Sequence, residues 1–205
     1  MSGGPRAVVA TRNAHKVQEI ADLLAGPLPS LELLALGAPG LPAVPEVVES
    51  GTTFAANALL KARAACAATG LPALADDSGI AVDVLGGAPG VFSARWAGRH
   101  GDDAANLALL LAQLADVPDG ERGASFVCAV ALALPGGHEQ VHHGRLGGAL
   151  ARAPRGGAGF GYDPAFVPEG EERTLGEMGA AEKNAVSHRA RALAALAPSL
   201  PRLLG

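Results

Sequence analysis

The chain has 205 residues, 49% of them hydrophobic, a net charge of −4, and one Trp, one Tyr and five Phe. That is ample for a core built from aliphatic and small side chains, and an acidic balance is contrary to the basic stripe of a nucleic-acid surface. No run approaches the roughly 18 apolar residues of a membrane span, and MSGGPRAVVA lacks a secretory core, so a cytoplasmic protein with buried, reduced Cys66 and Cys128 is expected.

In chain order, Ala7 to Thr11 is β-prone and is followed by a helical pattern in which Val17, Ile20 and Leu24 share a face. Asn13 is the natural N-cap, which puts Lys16 in the first turn. A lysine there opposes the helix dipole unless an anion sits at the same end, so T-x-N-x-x-K reads as a phosphate cradle as well as an ordinary capped helix. Leu31 to Leu36 is a second strand candidate, and a proline-rich loop, Pro39 to Pro45, leads to Glu49. Thr52 or Thr53 then caps a helix from Phe54 to Ala68, on which Asn57 and Lys61 lie four apart and share a face.

Leu71 to Ala75 reads as a buried strand ending at Asp76 and Asp77, with Ser78-Gly79 breaking it. Neighbours on a strand point to opposite faces, so one carboxylate faces a ligand-binding crevice and the other supports it; a polar turn fits the tetrapeptide equally. Ile80 to Leu85 is expected to be a further strand, and Asp102 or Asp103 to cap a helix through Leu114. Ala124 to Leu134 and Gln140 to Leu146 form a hairpin about Pro135-Gly136-Gly137. His142 and His143, adjacent on a strand, cannot share a metal.

The loop GGAGFGYDP, residues 156–164, bends at its glycines and offers Phe160 as a stacking face, with Gly161, Tyr162 and Asp163 beside it. Lys183, Ser187, His188 and Arg189 precede the last helix, which stops near Pro198. Of sixteen basic residues only Lys16, Lys61 and Lys183 are lysines. Their retention suggests positions that want a compact ammonium, as phosphate contacts often do.

Thr11–Lys16 (TRNAHK), Glu49–Ala62 (ESGTTFAANALLKA), Ala75–Gly90 (ADDSGIAVDVLGGAPG), Phe160–Pro164 (FGYDP) and Ser187–Arg189 (SHR) together resemble the non-canonical purine nucleoside triphosphate pyrophosphatases, the HAM1-like house-cleaning enzymes. The resemblance spans nearly the whole chain. It implies an α/β fold, a long mixed β-sheet flanked by helices, forming a single domain over residues 1–205 with two lobes and an active cleft. It also implies Mg2+-dependent hydrolysis of ITP, dITP or XTP to the monophosphate and pyrophosphate, usually by a homodimer; the acidic charge and the lack of a long apolar run lead to the expectation of no nucleic-acid or membrane partner. Residue by residue, Thr11, Asn13 and Lys16 match the phosphate loop, and Lys61 its second phosphate lysine. Glu49, Asp76 and Asp77 match the acidic cluster; Asp77 takes the position of general base and, with Glu49, of metal ligand, and Ser78 that of a substrate contact. Phe160, Gly161, Tyr162, Asp163, Lys183, His188 and Arg189 match the base-recognition group. Arg12 and His15 stand where the family commonly has glycine. A pyrophosphatase for modified pyrimidine triphosphates and a non-catalytic nucleotide-binding module are the competing readings. The FGYDP and SHR pair opposes the first, and acids placed beside an anion oppose the second.

Overall fold

The computed structural model describes residues 4–204. In chain order β1 (Arg6–Val9), α1 (Ala14–Ala25), β2 (Glu32–Ala35), α2 (Phe54–Thr69) and β3 (Ala73–Val82) come first, followed by α3 (Asp103–Gln113). Then come β4 (Gly123–Ala133), β5 (Glu139–Leu150), β6 (Phe166–Pro168), α4 (Ala180–Val186), α5 (His188–Leu196) and α6 (Leu200–Leu204). The strands form one six-stranded sheet in the order β2-β1-β3-β4-β5-β6. It is mixed: β1 is parallel to β2 and β3, whereas β5 and β6 are antiparallel.

The capping residues act as their positions predict. Asn13 Oδ1 accepts from the backbone N–H of His15 and Lys16, Thr53 Oγ1 from Ala56, and Asp102 Oδ1 from Ala105, each satisfying an orphan donor of the first turn. The predicted hairpin is present, its turn closed by Leu134 N–H donating to His138 O at 2.9 Å, with Gly136 and Gly137 at positive φ.

The chain divides into two compact units. One takes Met1–Asp77, Cys128–Gly144 and Arg189–Gly205; the other takes Ser78–Val127 and Arg145–His188. In the first unit, strand alternation sorts the core into two sets. Val8, Ala10, Ala73, Ala75, Ala129 and Ala131 pack with Ala58, Ala62, Ala65 and Cys66 of α2. Val9, Leu74, Cys128, Val130 and Leu132 pack with Ile20 and Leu24 of α1 and with Ala192, Leu193 and Leu196 of α5. One face is thus mostly alanine, which lets α2 approach closely; the other carries the larger side chains. In the second unit Ile80, Val82, Leu107, Leu110, Phe126, Tyr162, Phe166 and Leu175 form the core.

Two expectations are corrected. The strand predicted to stop at Ser78-Gly79 continues, and the segments around Leu74 and Ile80 are one ten-residue strand, with Asp83–Leu85 forming a short 3-10 turn after it. Gly79 is not a breaker, and its backbone has no positive φ. A Cβ there would stand 2.7 Å from Gly90 O and inside the Ser93 hydroxyl, so the glycine admits the 90–95 segment against the strand, where Ser93 Oγ accepts from Ile80 N–H at 3.0 Å. Asp76 and Asp77 therefore lie within β3, just past the point where β1 stops pairing with it at Leu74.

Candidate active site

Each aspartate falls on one of the two faces that the core alternation defines. Asp76 continues the Leu74 side, toward α1 and α5; Asp77 continues the Ala73–Ala75 side, toward α2. The two adjacent carboxylates consequently have separate partners. β1 also has parallel neighbours on both sides, one reached through α1 and the other through α2, which makes the carboxyl end of β1 a topological switch point.

Asp76 is fully buried. Its Oδ2 pairs with Lys16 Nζ at 3.0 Å and accepts from Arg189 Nε and Nη2 at 3.1 and 2.9 Å. Arg189 Nη1 also pairs with Glu19 of α1. Burial alone would raise the Asp76 carboxyl, but Lys16, Arg189 and Lys61 outweigh it and hold the group far below the ordinary carboxylate range. Asp76 is therefore a fixed anion. Lys16, unfavourable by itself in the first turn of α1, finds there the counter-charge it needs.

Asp77 has a different environment. Its Oδ1 pairs with Lys61 Nζ at 3.2 Å and its Oδ2 accepts from Asn57 Nδ2 at 3.2 Å, both donors standing one helical turn apart on α2. Lys61 Nζ also pairs with Glu49 Oε1 at 2.6 Å. Burial raises the Asp77 carboxyl above its ordinary value, and Glu49 adds to the rise against the opposing pull of Lys61. Burial would lower the Lys61 ammonium, yet Asp77, Asp76 and Glu49 hold it above its usual value. One aspartate is thus pinned as an anion and its neighbour is made more basic.

Gly51 shapes this cluster. Its N–H donates to Asn57 Oδ1 at 2.8 Å, and a Cβ on it would stand 2.6 Å from that oxygen and 2.7 Å from Ala56 Cβ. The bend that brings Glu49 to Lys61 requires a residue without a side chain. The Glu49 and Asp77 oxygens already flank one cation, the Lys61 ammonium. Among the described residues no three His, Cys, Asp or Glu side chains converge as a protein-only metal cage. Two carboxylates with the rest of the shell supplied by phosphate and water is the donor set magnesium commonly uses, so these residues fit that ion.

Thr11 and Asn13 serve the α1 loop itself: Thr11 Oγ1 accepts from Asn13 N–H at 3.2 Å. Ser78 is half-buried on β3. In the second unit, Asp163 is buried and organises its loop, accepting from Phe160 N–H at 2.8 Å and pairing with Lys183 Nζ at 2.9 Å. Lys183 Nζ also lies 4.5 Å from the centroid of the Phe160 ring, a cation–π contact. Gly159, at positive φ, leaves no room for a Cβ beside Asp163. Gly161 N–H donates to Asp103 Oδ2 at 2.9 Å, and His188 stacks on Phe126 with centroids 4.9 Å apart.

Two residues matched to the base-recognition group are committed elsewhere. Tyr162 is not displayed by its loop; it is buried in the core, its hydroxyl donating to Ser93 O at 2.8 Å, because a phenol at that depth needs a partner. Arg189 is 1% exposed and spends its guanidinium on Asp76 and Glu19. Phe160, Asp163 and Lys183 do come together. Glu19 is the residue that the sequence reading missed; its signal is a position three after Lys16, on the same face of α1.

The Ham1 family profile matches residues 7–199. A dITP/XTP pyrophosphatase of Streptomyces coelicolor is 60% identical over 200 residues, covering 98% of this chain and 99% of that protein. Among solved structures, a nucleoside-triphosphatase, dITP/XTP pyrophosphatase, of Mycobacterium abscessus is 55% identical with a TM-score of 0.77, covering 94% of this chain and 99% of its own. A HAM1 protein from Coxiella burnetii, 40% identical, superposes with a TM-score of 0.86 over 97% of this chain and 99% of its own. With the profile spanning both units and their sites, the chain belongs to the Ham1 family.

Proposed function

We propose that this protein hydrolyses the non-canonical purine nucleoside triphosphates dITP, XTP and ITP to the nucleoside monophosphate and pyrophosphate. The observation that carries the reading is the Asp77 cluster: a carboxylate held at both oxygens by Lys61 and Asn57 and made more basic than usual, in a chain 60% identical to a relative named for this activity. Asp77 takes a proton from a water whose oxygen attacks the α-phosphorus, and the bridge to the β-phosphate breaks as pyrophosphate leaves. A positioned base of this kind contributes on the order of 10²–10⁴-fold. Lys61 and Lys16 balance phosphate charge, and the fixed Asp76 orients Lys16. Magnesium, held by Glu49 and Asp77, would neutralise charge developing on the phosphate oxygens.

For the second unit, Lys183 and His188 are proposed as donors that read the 6-oxo group of the base, with Phe160 as the stacking face. The reading includes a homodimer, checked by light scattering, and a cytoplasmic site of action where nucleotide pools are kept clean. Two buried free thiols accord with a reducing compartment, and no helix among the described residues is long and apolar enough to cross a membrane. The deciding experiment measures pyrophosphate release from dITP and XTP with magnesium and with EDTA. The proposal expects turnover that EDTA abolishes; monophosphate plus two separate phosphates, or no turnover, would refute it.

A further inference from the structure

The first unit gathers most of its buried and half-buried charge at one place. Among the described residues Lys16 pairs with Asp76, Lys61 with Glu49 and Asp77, and Arg189 with Asp76 and Glu19. Both lysines of this unit thus pair with acids. A triphosphate carries about four negative charges, more than a single divalent ion neutralises, and the cations of this cluster already face carboxylates. A further cation is needed, and it should be one that no carboxylate already neutralises.

Arg12 meets that condition. It lies in the loop between β1 and α1, between Thr11 and the capping Asn13, and it is exposed. Its Nη2 donates to Val44 O at 3.1 Å, in the loop that leads to Glu49. That bond anchors the guanidinium between the α1 loop and the Glu49 loop. Among the described residues no carboxylate pairs with it. A guanidinium has five N–H donors in a planar fork, so one bond to Val44 leaves donors for a bidentate phosphate contact. The arginine at this position, where the resemblance expects glycine, then supplies charge to the loop rather than obstructing it.

Resting on the proposed function, we infer that Arg12 binds the terminal phosphates of the substrate, and therefore the pyrophosphate product, alongside Lys16 and Lys61. The test is calorimetric binding of pyrophosphate and, separately, of inosine monophosphate to the full chain in saturating magnesium, for the parent, Arg12→Gln and Arg12→Lys. Loss of one charge-assisted bidentate contact should weaken pyrophosphate binding roughly tenfold in Arg12→Gln. Monophosphate binding should move less than about twofold, and Arg12→Lys should recover part of the loss, because an ammonium restores the charge without the two-donor fork. If Arg12 only straps the two loops together, both ligands weaken in parallel and lysine does not rescue; that result, or an unchanged pyrophosphate affinity, overturns the inference. Because binding is read without turnover, an inactive parent in the pyrophosphate-release assay would fault the proposed function and leave this result separately legible.

Discussion

Asp76 and Asp77 are adjacent in sequence, yet their replacement by asparagine should have opposite signatures. Asp76→Asn removes the charge from a fully buried carboxylate that takes two donors from Arg189 and one from Lys16. Removing one partner of a buried ion pair costs about 3–5 kcal/mol, and since asparagine keeps an acceptor oxygen the loss should lie near 3 kcal/mol. With a urea m-value of roughly 2–3 kcal/mol/M for a chain of this size, the midpoint falls by about 1–1.5 M. The pH dependence fixes the sign. The Asp76 carboxyl is held below its ordinary range, so its charge stabilises the fold above that range, and the contribution is lost as pH falls through the folded value. The gap between parent and variant is therefore widest near neutrality and closes on acidification. Asp77 is raised instead, so its ionised form costs the fold stability. Asp77→Asn should stay within about 1 kcal/mol of the parent while turnover of dITP falls by roughly 10²–10⁴-fold. Urea unfolding at several pH values and steady-state kinetics on both variants are sufficient. Equal losses of stability in the two, or less than about 1 kcal/mol in Asp76→Asn, would refute this division of roles.

Gly51→Ala places a methyl group 2.6 Å from Asn57 Oδ1, and should cost about 1–3 kcal/mol in urea while lowering kcat/KM for dITP roughly tenfold by displacing Asn57 from Asp77. Cys128 is fully buried with its thiol pushed up to about 12 from an ordinary 9.0. Its neutral form stabilises the fold below pH 9, and about 4 kcal/mol of that is lost as pH rises from 9 to 12. Cys128→Ala should lack this share of the alkaline loss, and native parent should leave one thiol unlabelled by iodoacetamide at pH 8; rapid labelling of both would refute the burial. A site with donors aimed at a 6-oxo group should favour ITP over ATP by well over a hundredfold in kcat/KM, and Lys183→Ala should narrow that ratio. A parent ratio below about ten would mean that Lys183 and His188 do not read the base edge.

How much of this was legible beforehand divides along physical lines. Local interactions were readable: the caps at Asn13, Thr53 and Asp102 need only a side-chain oxygen two or three residues from an orphan N–H. So was the opposition of Asp76 and Asp77, which follows from the two-residue period of a strand wherever that strand lies. What escaped depended on segments distant in the chain. Ser78-Gly79 looks like a breaker because composition cannot show that residues 90–95 will press against the strand and require a missing Cβ. Tyr162 looks like a displayed ring until Ser93, 69 positions earlier, supplies the carbonyl that lets it be buried. Arg189 sits 170 residues from Glu19 and 113 from Asp76, and no local pattern tells a ligand-reading arginine from one that locks a buried carboxylate in place. The same limit explains Arg12. Read locally it is an oversized residue beside the capping Asn13; only when Lys16 and Lys61 are found paired with carboxylates does an exposed guanidinium there stand out as a charge still open to a phosphate.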